Sequence, residues 1–161
     1  MKSTAQAAQR SHVTAGPSAE FEVVDLGPFD NNRNDMLALN DNGRCAGVSS
    51  SPESGRIEAF VQENGSRKML GTLGGSFSMA RGINNRGEVV GGSLTADDES
   101  FHGFIYRGSV LVDLNDFLDP GAGWELIQAL AINNRGEILG IGSNTGEDRI
   151  VLLRPKILAT I

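Results

Sequence analysis

Hydrophobic positions along this chain fall in short runs of about five residues, the usual length of a β-strand. Turns rich in Asn, Asp, Ser and Gly separate them. No run repeats at the 3.6-residue spacing of an amphipathic helix, so the pattern predicts an all-β fold. Several runs are apolar on both alternations. In EILGIG (137–142), Ile138 faces one side with Gly140 while Leu139 and Ile141 face the other, and Phe104 and Ile105 point oppositely in HGFIY (102–106). Strands buried on both faces predict sheets stacked against other sheets rather than one solvated sheet.

One phrase recurs three times: LNDNGRCAG (39–47), INNRGEVVG (83–91) and INNRGEILG (132–140). From Asn40 to Asn84 is 44 residues, and from Asn84 to Asn133 is 49. Leu26, Leu70 and Leu114 are likewise 44 apart, which places a five-residue insertion near 119–123 in the third unit. Each unit then holds four runs: one before the Asn, one after the Gly, one carrying a Phe, and one ending in a Leu. The third unit stops after its third run. The stretch FEVVDL (21–26) is predicted to supply the missing strand and close that unit. These landmarks outline units of approximately 36–70, 79–114 and 127–154 within a single domain over 21–155. Residues 1–20, rich in Ala, Ser, Thr and Gln, and residues 156–161 read as tails.

Four antiparallel strands per 44-residue unit predict a β-propeller-like arrangement. Propellers typically need about four to eight blades. Three units therefore predict either a homodimer completing six blades or a β-trefoil-like or prism-like three-fold packing. Within each repeated phrase, Asn40, Asn84 and Asn133 can hold the backbone two residues on. Gly43, Gly87 and Gly136 would supply the positive φ that a short hairpin turn requires.

Composition narrows the function. Gly is abundant, at 21 residues, as expected of many tight turns. A net charge of −6 excludes the electrostatic footprint of a general nucleic-acid binder. No apolar run approaches the roughly 18 residues needed to span a bilayer, so no membrane partner is expected. No secretory signal is legible at the N-terminus. Cys45 is alone, and Val89 and Ile138 hold its place in the other units. It reads as a core residue, with no disulfide and no Cys-based metal site.

Chemistry is sparse. The repeated turns carry Arg44, Arg86 and Arg135, while the varied, acidic loops at the other end are where binding usually resides. Candidate ligand contacts are Asp30, Asn32, Arg33, Asp35, Phe77, Asp119 and Trp124, with Phe77 and Trp124 as an aromatic platform. The DNNRND stretch (30–35) is oxygen-rich but lacks the spacing of a calcium loop, and no metal or cofactor is predicted. His102 occupies a repeated strand position held by Glu58 and Ile150 elsewhere. The carboxylates Asp97, Asp98 and Glu99 are adjacent on one loop rather than held apart on rigid elements. No catalytic residues are assigned. The sequence supports a non-catalytic β-repeat binding module whose ligand is a glycan or a protein segment. A structural or assembly element is the alternative, and a glycan-acting hydrolase the third reading.

The stretch LGTLGGSFSMARGINNRGEVVGGS (70–93), the HGF step (102–104) and the terminal RIVLLRP (149–155) together resemble the HAF-repeat family. The His-Ala-Phe step that names the family reads EAF, HGF and IVL in the three units. The resemblance covers about residues 21–155. It implies a bacterial, extracellular or periplasmic repeat and carries no activity to transfer.

Overall fold

In the computed structural model the described residues are 21–23, 25 and 35–156. Among them the fold is all-β, with 3₁₀ turns but no α-helix. The strands are β1 (Asp35–Leu39), β2 (Cys45–Ser50), β3 (Ile57–Glu63), β4 (Ser66–Gly71), β5 (Gly74–Ile83), β6 (Val89–Thr95), β7 (Phe101–Arg107), β8 (Val110–Asp113), β9 (Trp124–Ile132), β10 (Ile138–Asn144) and β11 (Glu147–Leu153). They form three antiparallel meanders: β1–β4, β5–β8 and β9–β11. A parallel pairing of Ile57 with Phe77 joins the first two into one sheet, with a parallel bridge from Leu73 to Thr95 beside it. The sheets are not closed.

Alternation decides the stacking. Val89, Phe104 and Tyr106 point toward the first meander, into a core with Ala46, Ala59, Leu70 and Ala80. Val90 and Ile105, one residue on, point the other way, into a second core with Leu126, Ala129 and Ile138. The second meander is therefore the filling between the other two. Glycines let the layers approach. A Cβ on Gly82 would lie 2.9 Å from Ala131 Cα in the third meander, whereas one on Gly91 would strike the Met79 carbonyl oxygen of its own sheet at 1.9 Å. Two fully buried serines stitch the first pair of meanders together. Ser78 Oγ accepts from the Ala59 amide at 2.8 Å, and Ser93 Oγ accepts from the Leu73 amide at 2.8 Å. A buried hydroxyl left without such partners would cost stability.

The third meander differs from the expectation. Among the described residues its edge strand β11 pairs with β10 alone, and Phe21, Glu22, Val23 and Asp25 take no strand conformation. Phe21 is 87% exposed and Val23 92% exposed, so neither closes the third sheet. The layering supplies the reason. The segment leads into the first meander, and the second meander lies between that one and β11.

The repeated turns gather at one end, where each Asn serves two purposes. Within its own turn, Asn84 Oδ1 accepts from the amides of Arg86 and Glu88, both at 3.1 Å. Asn40 and Asn133 do the same at 2.9–3.0 Å. Between turns, Asn40 Nδ2 donates to the Asn84 carbonyl at 3.0 Å, and Asn84 Nδ2 to the Asn133 carbonyl at 3.2 Å. A second rung runs beside it: the Asp41 amide donates to Asn85 Oδ1 at 3.0 Å, and the Asn85 amide to Asn134 Oδ1 at 2.8 Å. Gly43, Gly87 and Gly136 stand at φ +77°, +75° and +78°. A Cβ on Gly87 would also lie 2.6 Å from Arg44 Nη1. We expect Gly87→Ala to lower stability by about 1 kcal/mol or somewhat more through the positive φ alone. Gly43→Ala, with open space around its Cβ, isolates that backbone cost in a parallel denaturant melt.

Candidate functional site

Among the described residues the third meander has three strands, and none of them pairs with the outer edge of β11 as β4 and β8 pair with β3 and β7. Beside that edge is a cleft of about 1450 Å³ between β10–β11 and the second meander. Its floor is the second core: Ile105, Leu114, Leu126, Ile138, Val151 and Leu153 all line it. Its mouth is made by the insertion, which folds as two 3₁₀ turns, Leu114–Phe117 and Pro120–Ala122. Asp113 caps the first turn through the Asn115 amide at 2.9 Å, and Asp119 caps the second through the Gly121 amide at 2.9 Å. Phe117, Leu118 and Trp124 are thereby set along the rim. Trp124 is 40% exposed there, an aromatic face open to a ligand.

Two of the predicted ligand residues, Asp119 and Trp124, meet at this cleft. Phe77 does not join them. It lies in β5, paired with Ile57, its ring 6.2 Å from that of Phe101, so the expected Phe77–Trp124 platform is not formed. The two residues lie in the corresponding first strands of different meanders, Phe77 in β5 and Trp124 at the start of β9, which keeps them apart. Asp30, Asn32 and Arg33 lie outside the described residues, and Asp35 opens β1. Sequence reasoning missed Phe117, Leu153 and the β11 edge. The missing fourth run in the third unit was the signal that could have found them.

The carboxylates of the cleft are all engaged. Glu88 binds Arg86 at 2.6 Å, Asp119 caps its turn, Glu125 meets His102 Nε2 at 3.2 Å, and Glu147 is held by Arg149. None stands as an isolated acid in an apolar pocket, which is the setting that keeps a glycosidase acid protonated. Among the described residues no group of three metal-ligating side chains converges.

His102 is the one histidine among the described residues, and both of its ring nitrogens are occupied. Nδ1 lies 2.5 Å from Asp113 Oδ2, and Nε2 faces Glu125. Carboxylates on both sides require both nitrogens to donate, hence an imidazolium. Burial pushes its pKa down, but the hydrogen bond and charge of Asp113, with Glu125 behind them, outweigh it and raise the pKa above 6.5. A ring so occupied has no nitrogen free to take a substrate proton. It is a tie between the second and third meanders. Because the folded pKa is raised, its stabilisation is complete below pH ~6.5 and is lost as pH rises through the folded value. Stability measured across that window should fall with rising pH in the native protein, and the fall should be smaller in His102→Gln.

Charges at the turn end are paired too: Arg44 with Glu63 at 2.7 Å and Arg135 with Glu137 at 2.6 Å. That end is therefore not the basic surface its arginines suggest. No helix among the described residues is long and apolar enough to cross a membrane. Comparison with family models, curated proteins and solved structures returns no match for the chain.

Proposed function

We propose that the chain is a non-catalytic interaction module, a set of propeller-like blades similar to HAF repeats, that binds an extended protein segment along β11. One observation carries this reading: among the described residues the outer edge of β11 has no strand partner, and it lies beside an apolar cleft with Trp124 at its rim. A peptide added to such an edge gains main-chain hydrogen bonds from the strand and side-chain pockets from the floor. A glycan would instead need convergent polar groups, and the carboxylates here are committed to neighbours. The family resemblance adds the expectation of an exported, bacterial repeat.

The sole Trp provides the test. Titrating a strand-forming peptide with alternating β-branched residues should shift Trp124 fluorescence, and the same peptide with a central Pro should not. A glycan library that quenches Trp124 while peptides leave it unchanged would replace this reading with a lectin-like one.

A specific feature also favours the assembly reading. Leu139 and Leu152 face outward from the third meander, 41% and 50% exposed. They are the counterparts of Val90 and Ile105, which are 0% and 5% exposed because the third meander covers them. The outermost sheet thus presents the kind of face that elsewhere in the chain receives another sheet.

A further inference from the structure

We propose that the segment occupying the β11 edge is residues 21–26 of a second copy of this chain, exchanged reciprocally so that two chains join head to tail. This rests on the strand-accepting reading above and names its partner.

The repeat gives the register. EVVDL (22–26) and VLVDL (110–114) are two periods of 44 apart. In the second meander, β8 pairs with β7 by Arg107–Val110, Tyr106–Leu111, Ile105–Val112 and Phe104–Asp113. Phe104 lies opposite Gly91, and Val151 opposite Gly140, so the strand pairing corrects the sequence alignment by one residue: Val151, not Leu152, holds the place of Phe104, and Arg149, not Ile150, that of His102. The donated strand then sets Asp25 opposite Val151, Val23 opposite Leu153 and Glu22 opposite Arg154. Charge agrees at two points, each as an exchange of partner. Glu22 would meet Arg154, which within the chain reaches Glu137 at 3.2 Å. Arg149 pairs with Gly142 as His102 pairs with Ser93, so Arg149 stands where His102 binds Asp113 and would turn from Glu147 to Asp25.

Two observations exclude the segment's own third meander and point to another copy. Phe21 and Val23 are exposed in this chain, and the second meander lies between β1 and β11. Within the chain, β4 ends at Gly71 and β5 begins at Gly74, so a fourth strand passes at once into the next meander. A donated segment would likewise bring its own β1–β4 toward Leu139 and Leu152. It would also bring the second copy's Asn40 carbonyl toward Asn133, whose amide is turned onto its own Glu137 at 2.6 Å. Arg67 already covers Phe60 on the approaching face, 4.2 Å above the ring. The strand, rather than the sheet face, is therefore the committed contact. A head-to-tail contact made twice closes a ring, here of six units.

The test is sedimentation equilibrium on the full chain. The native protein should sediment at twice its 17.1 kDa chain mass. Asp25→Lys and Arg149→Glu each place like charges across the edge at exposed positions, and each should weaken association by about tenfold or more. An equimolar mixture of the two variants should recover the doubled mass, because one interface is then Lys–Glu and the other Asp–Arg. A native mass of 17.1 kDa, undisturbed dimers in both single variants, or a mixture that stays monomeric would each overturn the exchange. A peptide of residues 20–27 titrated into the Asp25→Lys chain separates the two proposals. Binding reported by Trp124, with a monomeric native chain, leaves the strand-accepting cleft standing and removes only the second copy. No binding removes both.

Discussion

Asn84→Ala should cost about 3 kcal/mol of folding stability, a large effect for a residue in a surface turn. The substitution strands two backbone amides, those of Arg86 and Glu88, which donate to Asn84 Oδ1 at 3.1 Å. It also removes the donor that reaches the Asn133 carbonyl at 3.2 Å. Asn84 is 3% exposed, so water cannot replace these partners in full. Each buried group left unsatisfied costs roughly 1–3 kcal/mol. Asn133 makes the same bonds within its turn but sits exposed at the end of the ladder. Asn133→Ala should therefore cost about 1 kcal/mol, within the range for losing an exposed hydrogen bond. Chemical denaturation of the two variants side by side measures the difference. Equal losses would mean that the in-turn bonds carry the effect and the inter-turn bond contributes nothing.

The other large effect is expected at Phe104. Its ring is fully buried between the first two meanders, among Ala46, Ala59, Leu70, Ala80 and Val89. The alanines around it leave nothing able to swing into the space. Phe104→Ala should cost about 3–5 kcal/mol, the range for an unrelieved aromatic cavity. Phe117, 56% exposed on the cleft rim, provides the control: Phe117→Ala should change stability by less than about 0.5 kcal/mol. A melt in which Phe104→Ala matches Phe117→Ala would show that the first core does not hold the meanders together.

Much of the fold could be read from residue pattern because the pattern is local. The apolar alternation at Phe104–Ile105 leads directly to two cores on opposite sides of one sheet, whereas Leu139, expected to be buried by the same reasoning, is 41% exposed because no described meander covers the third. The Asn-x-x-Gly phrase leads directly to a tight turn with Gly at positive φ. What escaped the pattern is long-range. The Asn side chains reach backbone carbonyls 44 and 49 residues away, and a backbone acceptor leaves no mark in sequence. Gly91 looks like any strand glycine until the Met79 carbonyl is found against it. His102 reads as a packed strand residue, and only the fold brings Glu125 to its second nitrogen. The candidate site was half legible. Asp119 and Trp124 could be named from the insertion, whereas their companion is the outer edge of β11 rather than another aromatic loop.

The ladder of turns also fixes where the molecule can absorb change. Five extra residues separate the second and third turns relative to the first two, yet the Asn84–Asn133 rung closes at 3.2 Å against 3.0 Å for Asn40–Asn84. The whole surplus is taken up at the opposite end, as the two 3₁₀ turns around Asp119. One end of the protein keeps phase, and the other is free to drift in length. Added loop length costs little entropy once the ends are fixed. The connections at 51–56 and 96–100 correspond to one another in the first two units, and both lie on the drifting end. They are splice points: a short foreign loop inserted there would leave the turn ladder, and with it the spacing of the sheets, unchanged.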